Sequence, residues 1–498
     1  MYKMIKHINT RRLFVSFLAL FILLLTATPL TTVSANSRNY ITDYDSYSYD
    51  ETGMKIPAPE AYKLERSINA NTLGVSALSS MTAVYVTDER IYIAASNAIH
   101  ITDLNFNLIE SLSEFELNGE LQTISSPGDV FVDANDNIYV TEPGKGRILL
   151  FGSDLELIRA MGKPQAVGLE AVKYEPTKLV VDRVGRMFVV SRNVYEGIME
   201  LSPIGGFTRY YGVNNVRFNP LELFWRSIAT EAQRANMQLW LPTDFSNVSI
   251  NPDGFIFATV QSGMVSDPIK LLNSKGEDIL RYPRRLRPLG DYEFRDTGSS
   301  FIAIDNNEFG SYIALDTNRD RVFAYNNDGY LLYVFGGNGN QNGKFQNPVD
   351  VKYLGERIVV VDSLAQSIEV FAPTYYGDLI NQAVEADMTD QPDLAAEYWT
   401  EITEMNPQYF LAYISMGDAA YRQGLYEQAQ TYYKLGGYRS GYSDAKEQTR
   451  ADWLDENITL VLIVLFAIVI LLTWTLLVKP NLEERRRNKL AEQKGGKR

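Results

Sequence analysis

The stretch DVFVDANDNIYVTEPGKGRILLF, residues 129–151, decides how the middle of the chain folds. Its apolar residues alternate at period two around two short polar turns, a pattern typical of antiparallel strands. The first turn gathers Asp133, Asn135, Asp136 and Asn137, oxygen-bearing side chains of the kind found in calcium loops. Asp and Asn also tolerate left-handed backbone and close turns through their own side chains. We therefore interpret this segment as a hairpin turn rather than a metal site.

The same pattern occurs six times. Other copies begin at 84, 180, 249, 303 and 351, so successive copies are mostly 47–54 residues apart, with one longer gap. A single small sheet cannot bury both of its faces, and radial stacking of several sheets solves that problem while protecting the strand edges. The sequence therefore predicts a mainly β protein with a six-bladed β-propeller over residues 61–373.

The sixth copy has only three strands, ending at Phe371, and the next residues follow a helical pattern. An unpaired outer edge is an aggregation hazard. AYKLERSI (61–68) is the unassigned alternating segment upstream. We predict that it supplies the missing outer strand beside Ser367–Phe371.

The repeat resembles the NHL-repeat family over roughly residues 65–373. The resemblance rests on Pro127 and Pro348 ahead of two blades, the hairpin DANDNIYV, the turn-plus-arginine elements GKGRILLF and NRDRVFAY, and the glycine-rich FGGNGNQNGKFQNP at 335–348. It implies the propeller, a fold that hosts both binding proteins and enzymes. Family enzymes that cleave amidated peptides use histidines around a metal, and this chain has only His7 and His100. We expect no histidine-based metal site, and a structural role for His100.

No catalytic residue, metal ligand or cofactor is predicted. Asp316–Asp320 is similar to the start of an EF-hand but lacks its Gly and distal Glu in register, so we interpret it as a blade turn. Lactonase-type propellers bind calcium through Glu, Asn and Asp near the central channel. A calcium-dependent lactonase-like hydrolase therefore stays as the alternative function, and carboxylates converging with an Asn at the channel would favour it.

Both ends of the chain carry membrane signals. Residues 1–35 combine four basic residues, an apolar run and the small-residue sequence Val33-Ser34-Ala35, which indicates a cleaved signal peptide; an uncleaved anchor is the alternative. Residues 457–479 contain the uncharged run Ile458–Val478, 21 residues long, enough for one membrane-spanning helix. The tail 480–498 is basic, which predicts that it is cytoplasmic. The rest of the chain would then lie outside the cell, anchored by a single pass.

Charge agrees with an exported protein. Four basic residues precede the signal's apolar run, and the segment from Lys479 onward holds eight basic and three acidic residues, so the remainder has 35 Lys/Arg against 58 Asp/Glu, net −23. That balance argues against nucleic acid as a partner. The chain has no Cys, which excludes a disulfide scaffold.

Residues 374–456 follow a helical period. Ala383 and Ala395 are matched 34 residues later by Gly417 and Ala429, the period of tetratricopeptide repeats. Two such repeats, at 376–409 and 410–443, and a capping helix from Ser443 are predicted. They would serve either as a peptide groove or as a rigid spacer. Residues 36–60 are predicted to be an extended leader.

Two irregularities interrupt the propeller repeat. Residues 219–240 begin with Asn219 and Pro220, which suit a helix start, and predict a helical insertion that either packs as a cap or presents Trp225 to a partner. The segment RYPRRLRPLG (281–290) is basic within an acidic ectodomain. It is either an internally paired loop or a docking site. The residues predicted to bind a partner are Trp225, Arg281, Arg284, Arg285 and Arg287.

A narrower resemblance is carried by YSYDETGMKIPAPEAYKLERSI (47–68), FWRSIATEAQRANM and LPTDFSNVSI. These segments look like a group of Firmicute surface proteins with an NHL propeller, tetratricopeptide repeats and one C-terminal helix, which accompany carbohydrate ABC-transport components. The predicted function is a membrane-tethered extracellular scaffold or binding protein, more plausibly a binder than an enzyme. Its expected partners are proteins or envelope glycopolymers, with carbohydrate transporter components among them. A purely structural wall spacer is a third reading.

Overall fold

The computed structural model describes residues 44–50, 53–165, 169, 172–192, 194–212, 244–261, 267–280, 288, 290–291 and 298–495. The predicted signal peptide, the 219–240 insertion and Arg281–Arg287 lie outside these residues. From residue 45 onward, the described residues form one compact unit.

Six small antiparallel sheets make up a six-bladed β-propeller, as predicted. Blade one comprises β4 (Ala83–Val86), β5 (Arg90–Ala95), β6 (Ala98–Asp103) and β7 (Leu108–Leu112). Blade two comprises β10 (Asp129–Val132), β11 (Ile138–Glu142), β12 (Arg147–Phe151) and β13 (Leu157–Met161). Blade three comprises β14 (Glu175–Val181), β15 (Met187–Arg192), β16 (Ile198–Leu201) and β17 (Phe207–Tyr211). Blade four comprises β18 (Phe245–Ile250), β19 (Ile256–Val260) and β20 (Ile269–Leu272). Blade five comprises β21 (Phe301–Asn306), β22 (Tyr312–Asp316), β23 (Arg321–Tyr325) and β24 (Leu331–Gly336). Blade six comprises β25 (Pro348–Leu354), β26 (Arg357–Asp362) and β27 (Ser367–Pro373), together with β3 (Tyr62–Asn69).

The turn in the opening stretch is a hairpin turn, as interpreted from the sequence. The Asp133 carboxylate accepts hydrogen bonds from the backbone N–H groups of Asn135 (2.8 Å) and Asn137 (3.0 Å). Asp136 adopts the left-handed conformation, with φ of 60°. Asp182 and Asn307 close the equivalent turns of other blades in the same way. The acidic and amide residues of the repeat are thus used by the backbone.

The sixth blade is closed by the N-terminal strand, which confirms the prediction from the alternating segment at 61–68. Strand β3 pairs antiparallel with β27 in the register Ile68↔Ile368. The Ser67 hydroxyl also donates to the Glu369 carboxylate at 2.8 Å. A short helix, α1 (Ala70–Leu73), then leads into blade one.

Two hairpins lie outside the six blades. The leader, expected to be extended, folds back on itself in β1 (Tyr47–Tyr49) and β2 (Lys55–Pro57). Its turn is possible because Gly53 takes φ of 86° and the Asp50 side chain accepts from the Met54 N–H. The second hairpin, β8 (Glu114–Leu117) with β9 (Glu120–Thr123), separates blades one and two.

Five helices follow the propeller and pack as pairs. They are α2 (Tyr375–Met388), α3 (Pro392–Met405), α4 (Phe410–Arg422), α5 (Tyr426–Leu435) and α6 (Arg439–Thr473). The Thr374 side chain caps α2 by accepting from the Gly377 N–H, and Pro392 opens α3 at a position that needs no N–H donor. Four small residues that match at a spacing of 34 are all buried: Ala383 with Gly417, and Ala395 with Ala429. The 34-residue period thus marks equivalent packing positions.

The last packed helix and the apolar run are one helix. Gly441 and Ala445 near the start of α6 are buried against the preceding helices. The helix then continues through the π-helical turn Trp474–Val478 into α7 (Lys479–Gly495). Its apolar part has a mean hydropathy of 3.1 and no buried residues, and it is long enough to cross a membrane.

The propeller and the helical pairs share one hydrophobic core. Buried residues of blades five and six, such as Phe335 and Val351, belong to the same cluster as Ile380 and Trp399 of the helices. Polar contacts reinforce it: the Tyr409 hydroxyl donates to the Leu332 carbonyl at 2.8 Å. The helices are therefore fixed to the propeller rather than joined to it by a linker.

Candidate functional site

The inner strands of the six blades enclose a polar central cavity of about 200 Å³. Because side chains alternate along a strand, every second residue of an inner strand faces this channel. One level of the channel wall is formed by Asp129, Lys178, Asn247 and Asp350. Two residues further along the inner strands, a second level is formed by residues of all six blades: Tyr85, Phe131, Val180, Ser249, Asp305 and Lys352.

The first level is held together by one amine between two carboxylates. Lys178 Nζ lies 3.3 Å from Asp129 Oδ1 and 3.3 Å from Asp350 Oδ2. Burial alone would lower the pKa of Lys178, but Asp129 and Asp350 outweigh it and raise that pKa. Burial also raises the pKa of Asp129, and Lys178 offsets only part of the effect. The triad joins blades two, three and six across the channel.

The second level contains a further ion pair. Lys352 Nζ lies 3.2 Å from Asp305 Oδ1, and the Ser249 hydroxyl donates to the same oxygen at 3.0 Å. Burial would lower the pKa of Lys352, but Asp305 and Asp350 more than compensate and raise it. Asn306 Nδ2 in turn donates to Ser249 Oγ at 2.9 Å.

The channel carboxylates also tie neighbouring blades to one another. Each of Asp129, Asp305 and Asp350 accepts a backbone N–H from the inner strand of another blade. The donors are Leu179 N (2.9 Å), Tyr353 N (2.9 Å) and Val84 N (3.0 Å). These aspartates therefore connect neighbouring blades in addition to lining the cavity.

Two polar atoms at the cavity have no hydrogen-bond partner among the residues described. They are Asn247 Nδ2 and the hydroxyl of Tyr353, and both atoms are buried. Asn247 is only 2% exposed. A buried donor without an acceptor costs about 1–3 kcal/mol. Both atoms are also shielded from water-sized molecules in the cavity.

The carboxylates and the Asn that the hydrolase alternative requires do converge at the channel, but lysines already occupy the carboxylates. Lys178 and Lys352 already bind the three aspartates, leaving one excess negative charge. Within the described part of the chain no group of three or more His, Cys, Asp or Glu is placed to hold a metal ion. Asp316, at the EF-hand-like stretch, accepts from Ser299 Oγ at 2.7 Å and from Ser300 N at 2.8 Å, as a blade turn would.

His100 is a buried strand residue. It lies on β6, and its Nδ1 is 2.8 Å from the Ser111 hydroxyl on the neighbouring strand. Burial lowers its pKa. The expected structural role agrees with this position.

The predicted partner-binding residues, Trp225, Arg281, Arg284, Arg285 and Arg287, lie outside the described residues. The chain just after the arginines is anchored by Asp291, a fully buried residue. Its carboxylate accepts from the hydroxyls of Tyr47 and Tyr49, both at 2.7 Å, and from Lys55 Nζ at 3.0 Å. Burial would raise the pKa of Asp291, but Lys55 and the two tyrosines lower it overall. The leader hairpin is thereby fastened to the chain at Asp291, four positions after Arg287 in the sequence.

Sequence reasoning missed both the channel and the Asp291 cluster. The channel residues do occupy equivalent columns of the repeat: Phe131, Val180, Ser249 and Asp305 each precede the turn-closing Asp or Asn by two positions. Aligning the copies on that residue would have grouped them. The Asp291 contacts join segments more than 230 residues apart and leave no local pattern.

No protein-family model matches the chain, and no curated protein matches it. Among solved structures, the fold is similar to virginiamycin B lyase from Staphylococcus aureus, with 10% identity and a TM-score of 0.38 over 62% of this chain and 99% of that one. A streptogramin B lyase structure is similar with 13% identity and a TM-score of 0.39, over 63% of this chain and 98% of that one. A protein of unknown function from Bacteroides thetaiotaomicron is similar with 10% identity and a TM-score of 0.41, over 65% of this chain and 80% of that one.

Proposed function

We propose that this chain is a membrane-tethered binding protein that holds its propeller outside the cell. The observation that carries the proposal is the continuity of α6, which begins as a packed helix of the helical region and continues into the exposed apolar run. The basic residues after that run favour a cytoplasmic tail, because Lys and Arg collect on the cytoplasmic side of a membrane helix.

The helical pairs are tetratricopeptide-like repeats in this proposal, and they act as a rigid spacer. Asn381 on α2 accepts from the Tyr333 hydroxyl at 3.1 Å and donates to the Tyr62 hydroxyl at 2.9 Å. A helix face that is occupied by the propeller in this way is not free to bind a peptide. The stiffness of the junction supports a role in setting the height of the propeller above the membrane.

A scaffold or binding role is supported over hydrolysis by the state of the channel. Its lysines already form ion pairs with the carboxylates that a cation would need, so the calcium-dependent hydrolase is not favoured. A purely structural spacer would require no polar cavity at the centre of the propeller. The cavity favours a protein that binds something.

The docking surface for the partner comprises Trp225 and the arginines at 281, 284, 285 and 287. Arg engages carboxylates and phosphates through two parallel hydrogen bonds, and aromatic side chains are frequent interface anchors. The partner is a protein or an anionic envelope polymer, and the resemblance to the surface-protein group makes carbohydrate transporter components candidates.

Membrane topology is tested by cysteine labelling, since the chain has no native Cys. Val184→Cys lies on the propeller at a position 69% exposed, and Glu484→Cys lies on exposed α7. A membrane-impermeant maleimide should label the first in intact cells and the second only after permeabilisation. The reverse pattern would show that the proposed orientation is wrong.

The docking surface is tested by replacing Arg284, Arg285 and Arg287 with Ala and cross-linking on intact cells, with neighbours identified by mass spectrometry. Cross-linked partners should be lost while the apparent melting temperature stays nearly unchanged. Equal recovery of partners, or loss of stability together with them, would assign the arginines a structural role. The matched control makes the same charge change at three exposed arginines, Arg90, Arg192 and Arg450.

A further inference from the structure

The helical region has one end from which α6 leaves as the apolar run. Gln430 Nε2 on α5 donates to Thr449 Oγ1 on α6 at 2.7 Å, so the two helices lie side by side at that level. They run in opposite directions, because only the short turn 436–438 joins them. At ~1.5 Å per residue, Leu425 at the start of α5 and Leu454 on α6 each lie about 7.5 Å beyond this contact, towards the apolar run.

The turn between α2 and α3 lies at the same end. Arg422 Nη1, at the end of α4, is 3.7 Å from Asp390 Oδ1 in that turn. The Gln423 side chain, one residue later, donates to the Asp393 carboxylate at the start of α3. The two interhelical turns and the segment 453–454 of α6 therefore form one surface, and the apolar run emerges from it.

This surface carries large apolar side chains that are exposed. We call them the apolar rim: Met388, Leu394, Leu425, Trp453 and Leu454. They come from three separate segments of the chain, so the rim belongs to the folded helical region and is not a simple extension of the apolar run. Exposed apolar side chains that gather in one place mark an interaction surface.

The rim lies at the depth of the lipid head groups. The uncharged run Ile458–Val478 is 21 residues long, about 30 Å as a helix, which matches the ~30 Å hydrocarbon core. With this run in the core, Leu454 is four residues, or about 6 Å, outside it. Each head-group layer is roughly 5–8 Å thick. Trp453 is of the residue type that collects in this layer.

The charges around the rim indicate which kind of membrane surface it fits. Exposed charged residues at this end are mostly acidic: Asp390, Asp393, Asp452, Asp455 and Glu456 against Arg422 and Arg450. Such a balance does not attract anionic lipids. The contact must therefore come from the apolar side chains, and a neutral phospholipid surface satisfies it.

We propose that the apolar rim inserts among the head groups of the bilayer that α6 crosses. The helical region then stands directly on the membrane, and three of its segments, rather than α6 alone, hold its orientation. This inference rests on the proposed membrane tether. It adds the lipid surface as a partner of the folded helices.

The experiment measures the depth of single cysteines in the full chain, which has no native Cys. The chain is placed in phosphatidylcholine nanodiscs with or without a nitroxide on the lipid head group. A fluorophore at Leu425→Cys should be quenched by the nitroxide several-fold more than one at Leu435→Cys. These two leucines are similarly exposed, at 48% and 51%, but lie at opposite ends of α5, about 15 Å apart along the helix.

Substitutions within the rim test whether the apolar side chains hold the contact. Leu394→Asp with Leu425→Asp places carboxylates at the starts of α3 and α5, where helix N-termini accept them. A fluorophore at Gln423→Cys, in the same turn, should then be quenched several-fold less. The matched control makes the same change at two exposed leucines of the propeller, Leu121 and Leu364, and should leave the quenching at 423 unchanged.

A fluorophore at Ile468→Cys, in the middle of the apolar run, separates this inference from the membrane tether. If a nitroxide on the acyl chains quenches position 468 while position 425 is quenched no more than position 435, the tether stands and the inference is wrong. If position 468 is not quenched, the tether fails and the inference fails with it.

Two further results would overturn the inference while leaving the tether intact. Unchanged quenching at 423 in the rim variant would show that α6 alone positions this end of the helical region. Loss of quenching at 425 on raising the ionic strength would show that charge rather than apolar contact holds the rim to the lipid, because salt screens exposed charges.

Discussion

Gly377, in the first turn of α2, lies directly against the backbone carbonyl of Ala61, and a Cβ atom at position 377 would collide with that oxygen. The same carbonyl accepts a hydrogen bond from Thr374 N at 2.9 Å. The strand that closes the propeller and the helix that leaves it are therefore fitted to each other at a point where only glycine is small enough.

Gly377→Ala should destabilise the chain by about 1–3 kcal/mol, because the backbone of one element must shift to admit the methyl group. Chemical denaturation of the chain in nanodiscs measures the loss. Gly162→Ala is the control, since a Cβ there meets no atom within 4 Å, and it should change stability by less than about 0.5 kcal/mol. Equal stability of the two variants would mean that the junction is looser than described.

Ile68→Asp should prevent stable closure of the sixth blade. Ile68 is 2% exposed and pairs with Ile368, so the substitution buries an unpaired carboxylate at a cost above about 3 kcal/mol. Aggregation and increased proteolysis of the propeller are the expected readouts, as they are for deletion of residues 59–69. Lys63→Ala on the same strand, at a side chain 67% exposed, should behave like the unaltered chain; normal behaviour of Ile68→Asp as well would refute the closure argument.

Lys178→Met should be strongly destabilising, by about 3–5 kcal/mol, because it leaves Asp129 and Asp350 without a compensating charge. The triple variant that also carries Asp129→Asn and Asp350→Asn should recover most of this loss. Asn oxygens can still accept the backbone N–H groups of Leu179 and Val84 that the carboxylates now bind. Denaturant midpoints of the single and triple variants test this, and a triple variant no better than Lys178→Met would show that charge is not the cause.

Asp418→Asn should raise the apparent melting temperature at pH 7 by about 1–3 °C. Burial raises the pKa of Asp418, and nearby Asp387 and Asp328 add to the shift, although Tyr433 and Arg422 oppose it. With the folded pKa above the unfolded value of 3.8, this group stabilises the fold below pH 3.8, and that contribution is lost as the pH rises through the folded pKa.

The advantage of Asp418→Asn should therefore shrink as the pH falls from 7 towards 4. Thermal unfolding at a series of pH values measures this difference in melting temperature between the variant and the unaltered chain. Asn keeps an oxygen that can accept from the Tyr433 hydroxyl, which now lies 2.7 Å from Asp418 Oδ1. Asp88→Asn makes the same substitution at an exposed turn and is the control. A constant effect of Asp418→Asn at all pH values would exclude the electrostatic explanation.

The propeller was predictable because its information is local and repeated. Alternation at period two and Asp or Asn at each turn follow from strand geometry and turn chemistry, and the pairing of β3 with β27 followed from the missing strand. The hairpin of the leader was not predictable in the same way. Asp291 accepts hydrogen bonds from Tyr47, Tyr49 and Lys55. No local sequence pattern near these three residues indicates that they contact a carboxylate so far along the chain.

The candidate site was less predictable than the fold. Lys178 and Asp129 look like ordinary strand residues, and only the closed ring brings them together with Asp350 from the last blade. The sequence reasoning concentrated on departures from the repeat, such as Trp225 and the arginines from 281 to 287. The structure instead draws attention to positions inside the repeat.

Closure by an N-terminal strand has a consequence for biogenesis. The contact between Ser67 and Glu369 spans 302 positions, so β3, the first propeller strand to be synthesised, must wait for nearly all of the propeller before it finds its partner. Joining ends that far apart costs about 5 kcal/mol of chain entropy from the logarithmic term alone. A chain interrupted during synthesis or translocation before residue 367 would keep two open strand edges, and such fragments would be marked for degradation rather than accumulate as partial propellers.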